Sequence, residues 1–188
     1  MSPWVNVRQS VLRSLITADV AGVRLCVASA RNAPGRRLAV EVTRVGNGVL
    51  YPALAVLMIF GCGARGCYAI IAAAINVAFI HSVYPTIKRH AARQRPFQAH
   101  SDLQPLLATL DEHSFPSGHV MTLTAALVPI VIAIPGTLSL SLAAWCAMAW
   151  ARLASAHHYP SDVFAGAAIA LAVSYPLSRY GLVAALPG

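Results

Sequence analysis

The sequence predicts an all-α, integral-membrane bundle of five to six transmembrane or interfacial helices, and three observations predict it. Hydrophobic residues make up 57% of the chain and charged residues only 11%, against roughly a quarter charged in an ordinary soluble domain. Residues 46–64 and 66–87 each lack Lys, Arg, Asp and Glu, and each approaches the roughly 20 residues an α-helix needs to cross hydrocarbon. A third uncharged run, Val120 to Ala151, is long enough for two further helices.

The first 45 residues are the least regular. Arg8, Arg13, Asp19, Arg24, Arg31, Arg36, Arg37, Glu41 and Arg44 interrupt every apolar stretch, so the segment reads as a basic amphipathic helix lying in the interface with its arginines towards anionic lipid. Crossing the membrane would require Asp19 and Arg24 to be paired or to snorkel. The run from Met1 to Arg13 leads to no clean apolar core, so no cleavable signal peptide is expected. The two uncharged runs that follow are separated by Arg65 alone and predict a helical hairpin with a tight turn there. Between the third run's two helices, Ile134-Pro135-Gly136-Thr137 marks a turn. A last apolar run, 163–178, is expected to end at Pro176 and Arg179. No linker or composition shift marks a second unit, so residues 1–188 read as one domain, an N-terminal basic segment 1–45 followed by a helical core 46–183.

Formal net charge is +8 with a sequence pI near 9.9, which suits anionic headgroups or phosphate. Nucleic acid is excluded as the partner, because a chain this apolar has too little water-exposed surface for an extended basic face. Cys26, Cys62, Cys67 and Cys146 lack the paired short spacings of a zinc site and read as small buried hydrophobes.

Polar residues concentrate between Thr86 and Pro116 and form three clusters at helix boundaries: Lys88 with Arg95-Pro96; Pro116-Ser117-Gly118-His119; and Arg152, His158 and Asp162. Pro116 and Ser117 resemble a helix start with Ser117 as N-cap, and Gly118 lets backbone approach a ligand. Such a terminus presents free N–H groups to an anion. Lys88, Arg95 and Arg152 add charge-assisted hydrogen bonds to the same oxygens. An imidazole at His158 oriented by the Asp162 carboxylate is a nucleophile, and His119 beside the anion-binding turn is placed to protonate a leaving oxygen. Taken singly, each basic residue reads more simply as a headgroup anchor, and His158 with Asp162 as a boundary hydrogen bond. His157 reads as a local hydrogen-bonder, and His81, His90, His100 and His113 receive no role.

The ordered set Lys-x6-Arg-Pro, Pro-Ser-Gly-His, Arg-x5-His-x3-Asp across residues 88–162 resembles the three motifs of the type 2 phosphatidic acid phosphatase superfamily, in its membrane lipid phosphatase branch. The resemblance implies phosphate binding by Lys88, Arg95, Ser117, Gly118 and Arg152, catalysis by His158 as nucleophile, His119 as general acid and Asp162 as orienting partner, and a phosphohistidine intermediate. It implies no metal and no cofactor, the cations and the helix terminus supplying the electrostatics. Ala151 stands where that family usually has Ser or another small residue, a departure that removes no catalytic group.

The expected partners are the bilayer and a phosphorylated membrane lipid: a polyprenyl diphosphate or monophosphate, phosphatidic acid or phosphatidylglycerol phosphate. Three other functions fit less well. A vanadium-dependent haloperoxidase of this motif set is larger and soluble. A non-catalytic protein that binds or translocates lipid phosphate would have lost His119, His158 or Asp162. A metal hydrolase lacks a ligand pattern here and would face three cations. The resemblance places the site on the extracytoplasmic face of a bacterial inner membrane. Arg31, Arg36, Arg37 and Arg44, on the site's side of the hairpin, would by charge counting place it inside. The expectation adopted is the former.

Overall fold

The computed structural model describes the backbone of residues 3–185 and the side-chain surroundings of Ser10 and of residues 13–181. Residues 1–2 and 186–188 of the expected 1–188 unit lie outside the described residues. The order of elements is α1 (Pro3–Ser29), α2 (Ala33–Gly46), α3 (Leu50–Ala91), α4 (Pro96–Ala99), α5 (Gly118–Ala133), a 3-10 turn (Pro135–Thr137), α6 (Leu138–Ala154) and α7 (Pro160–Ala185). Among the described residues there is no β-strand. The chain is an all-α membrane bundle: Leu50–Ala99, Pro135–Ala154 and Pro160–Gly181 are long and apolar enough to cross a bilayer, and α5 is a shorter apolar helix.

The first of these stretches is two limbs. Gly63 departs from helical geometry at φ 54°, ψ −135°, a conformation that side chains resist and glycine adopts freely. A Cβ on Gly66 would lie 1.9 Å from the Met58 carbonyl oxygen, whereas residues eight apart in a continuous helix are about 12 Å apart. Packing against α5 gives the direction. Leu50 and Leu54 pack against the cluster that holds Val120, Leu123 and Leu127, Met58 and Ala69 share a cluster with Ile130 and Ala133, and Ile80 shares one with Met121 and Ala125. The first limb therefore runs along α5 and the second runs back, so both outer ends lie where α5 begins. The hairpin expected from the two uncharged runs is present, with its turn on Gly63 rather than Arg65.

The core of the bundle is α5, flanked by both limbs of α3, by α6 and by α7. Val120, Leu123, Ala125 and Ala126 are buried along it. Polar contacts tie the helices where lipid offers no alternative partner: Asn76 donates to Ser178 Oγ at 2.9 Å and to the Ala125 carbonyl at 3.3 Å, and Trp145 Nε1 donates to Thr124 Oγ1 at 3.0 Å. Phe60, Leu140 and Phe164 are exposed on the outside, as side chains facing acyl chains should be.

Three expectations are corrected. The N-terminal segment forms two helices, not one. Asn32 caps α2 by accepting from Gly35 N at 2.8 Å, with a proline in the first turn, and that sequence signal was present in Asn32-Ala33-Pro34-Gly35. The last helix does not stop at Pro176 but carries it internally to Ala185. None of the four cysteines is buried, and Cys146 is exposed, because α6 turns it away from the core.

α1 and α2 pack on the end of the bundle where α6 finishes and α7 starts. Val23 shares a cluster with Ala156 and Tyr159, and Ala30 and Ala39 share one with Ala151 and Ala154. Both charges that had argued against burying α1 are paired, Asp19 with Arg93 at 2.7 Å and Arg24 with Asp102 at 3.0 Å.

Candidate active site

Each of the three clusters sits where a helix ends or begins, at the end of the bundle shared by the outer ends of α3, the start of α5, the end of α6 and the start of α7. Lys88 is in the last turn of α3, which a left-handed Ala92 terminates. Three residues later Arg95 is the N-cap of α4, with Pro96 in the first helical turn. Arg95 is 1% exposed, and its guanidinium is held by main-chain oxygens: Nη1 donates to the His157 carbonyl at 2.8 Å and Nε to the Asp111 carbonyl at 3.3 Å. Arg152 is in the last turn of α6 and is 3% exposed.

Ser117 occupies the N-cap position of α5 without capping it by side chain. Its backbone N donates to the Asp162 carbonyl at 3.0 Å, which locks the start of α5 to the start of α7. Gly118 is glycine for a steric reason, since a Cβ there would meet the Tyr84 hydroxyl at 2.9 Å and its ring at 3.0 Å. The buried Ser117 Oγ and Arg152 Nε have no partner among the protein groups. Buried donors are ordinarily satisfied, so these two have free capacity for the oxygens of a bound anion.

His158 is 1% exposed, in the short connection between α6 and α7. Its Nδ1 lies 2.6 Å from the Ser114 carbonyl and its Nε2 lies 3.4 Å from Arg152 Nη2. A carbonyl can only accept and a guanidinium can only donate, so these partners select the tautomer with hydrogen on Nδ1 and a lone pair on Nε2. Burial first, then the charges of Arg152, Arg95 and Lys88, hold the imidazole well below its usual range, so it is neutral. Asp162 stands 3.9 Å from His158 Nδ1, beyond hydrogen-bonding distance. Its oxygens instead accept from Arg93 Nη1 and from Tyr159 N, each at 2.7 Å. The hydrogen bond that sequence reasoning assigned to Asp162 is made by Ser114.

Arg93 continues this network outward. Nη2 donates to Asp19 Oδ2 at 2.7 Å, the guanidinium lies 4.0 Å from the centre of the Tyr159 ring, and Asp19 also accepts from Ser161 N at 2.9 Å. His157, beside His158, is 0% exposed and bonds the Leu107 carbonyl at 2.9 Å. Burial, then Arg152, pushes it down to about 3.

His119, half-buried in the first turn of α5, bonds through Nε2 to Asn47 Oδ1, in the loop that enters α3. A cavity of about 840 Å³ opens here, lined by Asn47, Tyr51, Tyr84, Lys88, Asp111 and His119 among others. Lys88, Gly118 and His119 face it, while Arg95, Ser117, Arg152 and His158 lie buried behind. Asp111 sits at the boundary. Its Oδ1 is 2.6 Å from both Lys88 Nζ and Arg95 Nη2, and its Oδ2 accepts from the Tyr84 hydroxyl at 2.8 Å. Partial burial pushes this carboxyl up, but hydrogen bonds from Lys88 and Tyr84 and the neighbouring cations outweigh burial and hold it below the usual carboxylate range.

Sequence reasoning missed Asn47, Asp111, Ser114, Arg93 and Asp19. The density of charge between Thr86 and Pro116 pointed to Arg93 and Asp111 as a group but to neither individually. Nothing local marks Asp19. Among the described residues no group of three His, Cys, Asp or Glu side chains converges as a metal site. The arrangement can grip a tetrahedral oxyanion and present a neutral imidazole nitrogen to it.

A family model described as "PAP2 superfamily" matches residues 65–183. No curated protein sequence matches the chain. Among solved structures, a transmembrane PAP2-type phosphatidylglycerolphosphate phosphatase from Bacillus subtilis superposes with a TM-score of 0.66 at 18% identity, over 90% of this chain and 87% of that one. LpxE from Aquifex aeolicus superposes with a TM-score of 0.63 at 23% identity, over 84% of this chain and 93% of that one.

Proposed function

Because this chain belongs to the PAP2 superfamily, we propose that it is a metal-independent membrane lipid phosphatase that hydrolyses a lipid phosphate or diphosphate through a phosphohistidine at His158. The observation that carries the reading is His158 itself: buried and neutral, with Nε2 facing Arg152 and Nδ1 held by Ser114.

In the first half-reaction His158 Nε2 attacks phosphorus, the bond from phosphorus to the lipid oxygen breaks, and His119 delivers a proton to that leaving oxygen. Lys88, Arg95, Arg152, Ser117 Oγ and the N–H groups at the start of α5 hold the non-bridging oxygens as their charge rearranges. The Nε2-phosphorylated imidazole is cationic. The Ser114 carbonyl at 2.6 Å and the Asp162 carboxylate at 3.9 Å stabilise that charge, which gives Asp162 an electrostatic part without a direct bond. In the second half-reaction water attacks phosphorus, His119 takes its proton, and the bond between nitrogen and phosphorus breaks to release orthophosphate. Asn47 holds the His119 ring in place for both proton transfers.

The substrate is one of the lipid phosphates anticipated above, and the phosphatidylglycerolphosphate named for the Bacillus subtilis structure belongs in the first panel. Phosphate release from polyprenyl diphosphate, polyprenyl monophosphate, phosphatidic acid and phosphatidylglycerol phosphate, measured in detergent for wild type and His158→Ala, tests the proposal. Release from at least one substrate, lost in the variant, is expected; no release from any of them refutes it. We assign the site to the extracytoplasmic face of a bacterial inner membrane. Labelling of Ser101→Cys by a membrane-impermeant maleimide in intact cells checks this, and protection until the cells are opened would reverse it.

A further inference from the structure

The cations proposed to bind phosphate already hold an anion. One oxygen of Asp111 is shared by Lys88 and Arg95 at 2.6 Å each, and the other is held by Tyr84 at 2.8 Å. Asp111 comes from the connection between α4 and α5 and is 35% exposed at the cavity, while both cations are nearly buried. A carboxylate in this place presents two oxygens to the donors that a phosphate would engage with two of its own. We propose that Asp111 is a built-in competitor for the phosphate site: its carboxylate neutralises Lys88 and Arg95 while no substrate is bound and gives way to the incoming phosphate. The inference rests on Lys88 and Arg95 being phosphate ligands.

The cage does not need this carboxylate to keep its shape. Arg95 retains the main-chain oxygens of His157 and Asp111, and Lys88 retains the Tyr84 hydroxyl at 2.9 Å. What the carboxylate changes is availability. A tethered group acts at an effective concentration in the millimolar range, and a site competent for only a fraction of the time binds more weakly by that fraction. A dianionic phosphate held by three cations and α5 prevails over a carboxylate held by two. A weaker or smaller anion does not, so the residue sets a threshold for entry. It also promotes departure of orthophosphate after turnover, because the carboxylate returns to the cations as the product loosens. Asp111 is thus a specificity-determining residue.

The test uses full-length protein in detergent, with calorimetric titration of orthophosphate and orthovanadate and parallel assays on the lipid panel. Asp111→Asn and Asp111→Ser are both made, so that a folding failure of one leaves the other, and Glu112→Gln supplies the same loss of charge one residue away. Binding tighter by about ten-fold is expected in the Asp111 variants, with the Glu112 variant within about two-fold of wild type. Binding equal to or weaker than wild type in a folded Asp111 variant overturns the proposal, since a carboxylate that merely positions the cations would give that result. Hydrolysis by wild type with no tightening in the variants defeats this inference alone. Tightening without hydrolysis of any lipid sustains it and defeats the phosphatase reading.

Discussion

Arg93 Nη1 donates to Asp162 Oδ1 at 2.7 Å, and through its other terminal nitrogen it holds Asp19 at the same distance. The contact joins α1 to the start of α7 across the connection that carries His158. Helix α1 is therefore part of what fixes the site, although the family model begins only at residue 65.

That linkage makes Asp19→Asn informative. The asparagine keeps the shape but removes the charge that faces Arg93 and Ser161, which costs about 1–3 kcal/mol for a charge-assisted network. We expect a lower melting temperature and a fall in kcat of about ten-fold with KM little moved, because the substrate is gripped elsewhere. Steady-state kinetics alongside a thermal melt in detergent would show it, and a KM effect without a kcat effect would contradict it.

The two adjacent histidines are separable. His158→Gln is expected to reduce phosphate release by at least about a thousand-fold, since it removes the group proposed to form the covalent bond. His157→Gln can still donate to the Leu107 carbonyl and is expected to retain measurable turnover at reduced stability. Trapping radiolabelled phosphate on protein quenched in alkaline detergent, where a phosphohistidine survives and acid releases it, should succeed with His157→Gln and fail with His158→Gln.

The same pair predicts an acid-sensitive fold. His157 is pushed down to about 3 from 6.5 and His158 is also lowered, whereas in the unfolded chain each takes up a proton near 6.5. Between those values the unfolded state binds more protons, so stability rises with pH there, is fully present above 6.5, and is lost as pH falls through the window. Melting temperature should decline steadily from pH 7 to pH 4.5. The slope should be shallower in His157→Gln, and an unchanged slope would show that His157 is not buried neutral.

Gly63→Ala tests the hairpin. At φ 54° an alanine is strained, at a cost of about 1–3 kcal/mol, and the site lies at the opposite end of α5. We expect a lower melting temperature with kcat and KM close to wild type, while Gly61→Ala, with open space around its Cβ, should be nearly silent.

The residues of the three clusters were legible because each motif sits at a helix boundary and keeps its spacing within one stretch of chain. The helices were legible because runs without charge have few other places to go. Partnerships across the fold were not. Asp19 meets Ser161 across 142 positions, and no local pattern encodes such a contact. The Asp162 assignment shows a subtler loss: four-residue spacing puts a carboxylate near an imidazole, but the helix start at Pro160 turns it to Arg93 and to Tyr159 N. A main-chain carbonyl, that of Ser114, takes the imidazole instead, and carbonyls carry no sequence signal. Likewise the turn moved from Arg65 to Gly63 because backbone conformation, not charge, decides where a chain can reverse.

The short first limb of α3 bears on the surrounding lipid. The first limb of α3, from Leu50 to the turn at Gly63, gives only about 20 Å of rise and exposes Val56, Leu57 and Phe60, whereas the hydrocarbon of a typical bilayer is about 30 Å thick. A leaflet adjoining such a wall relieves the mismatch by thinning. A local dip of this kind would bring headgroups towards the cage, and a phosphorylated lipid could then reach it while its tails stay in the bilayer.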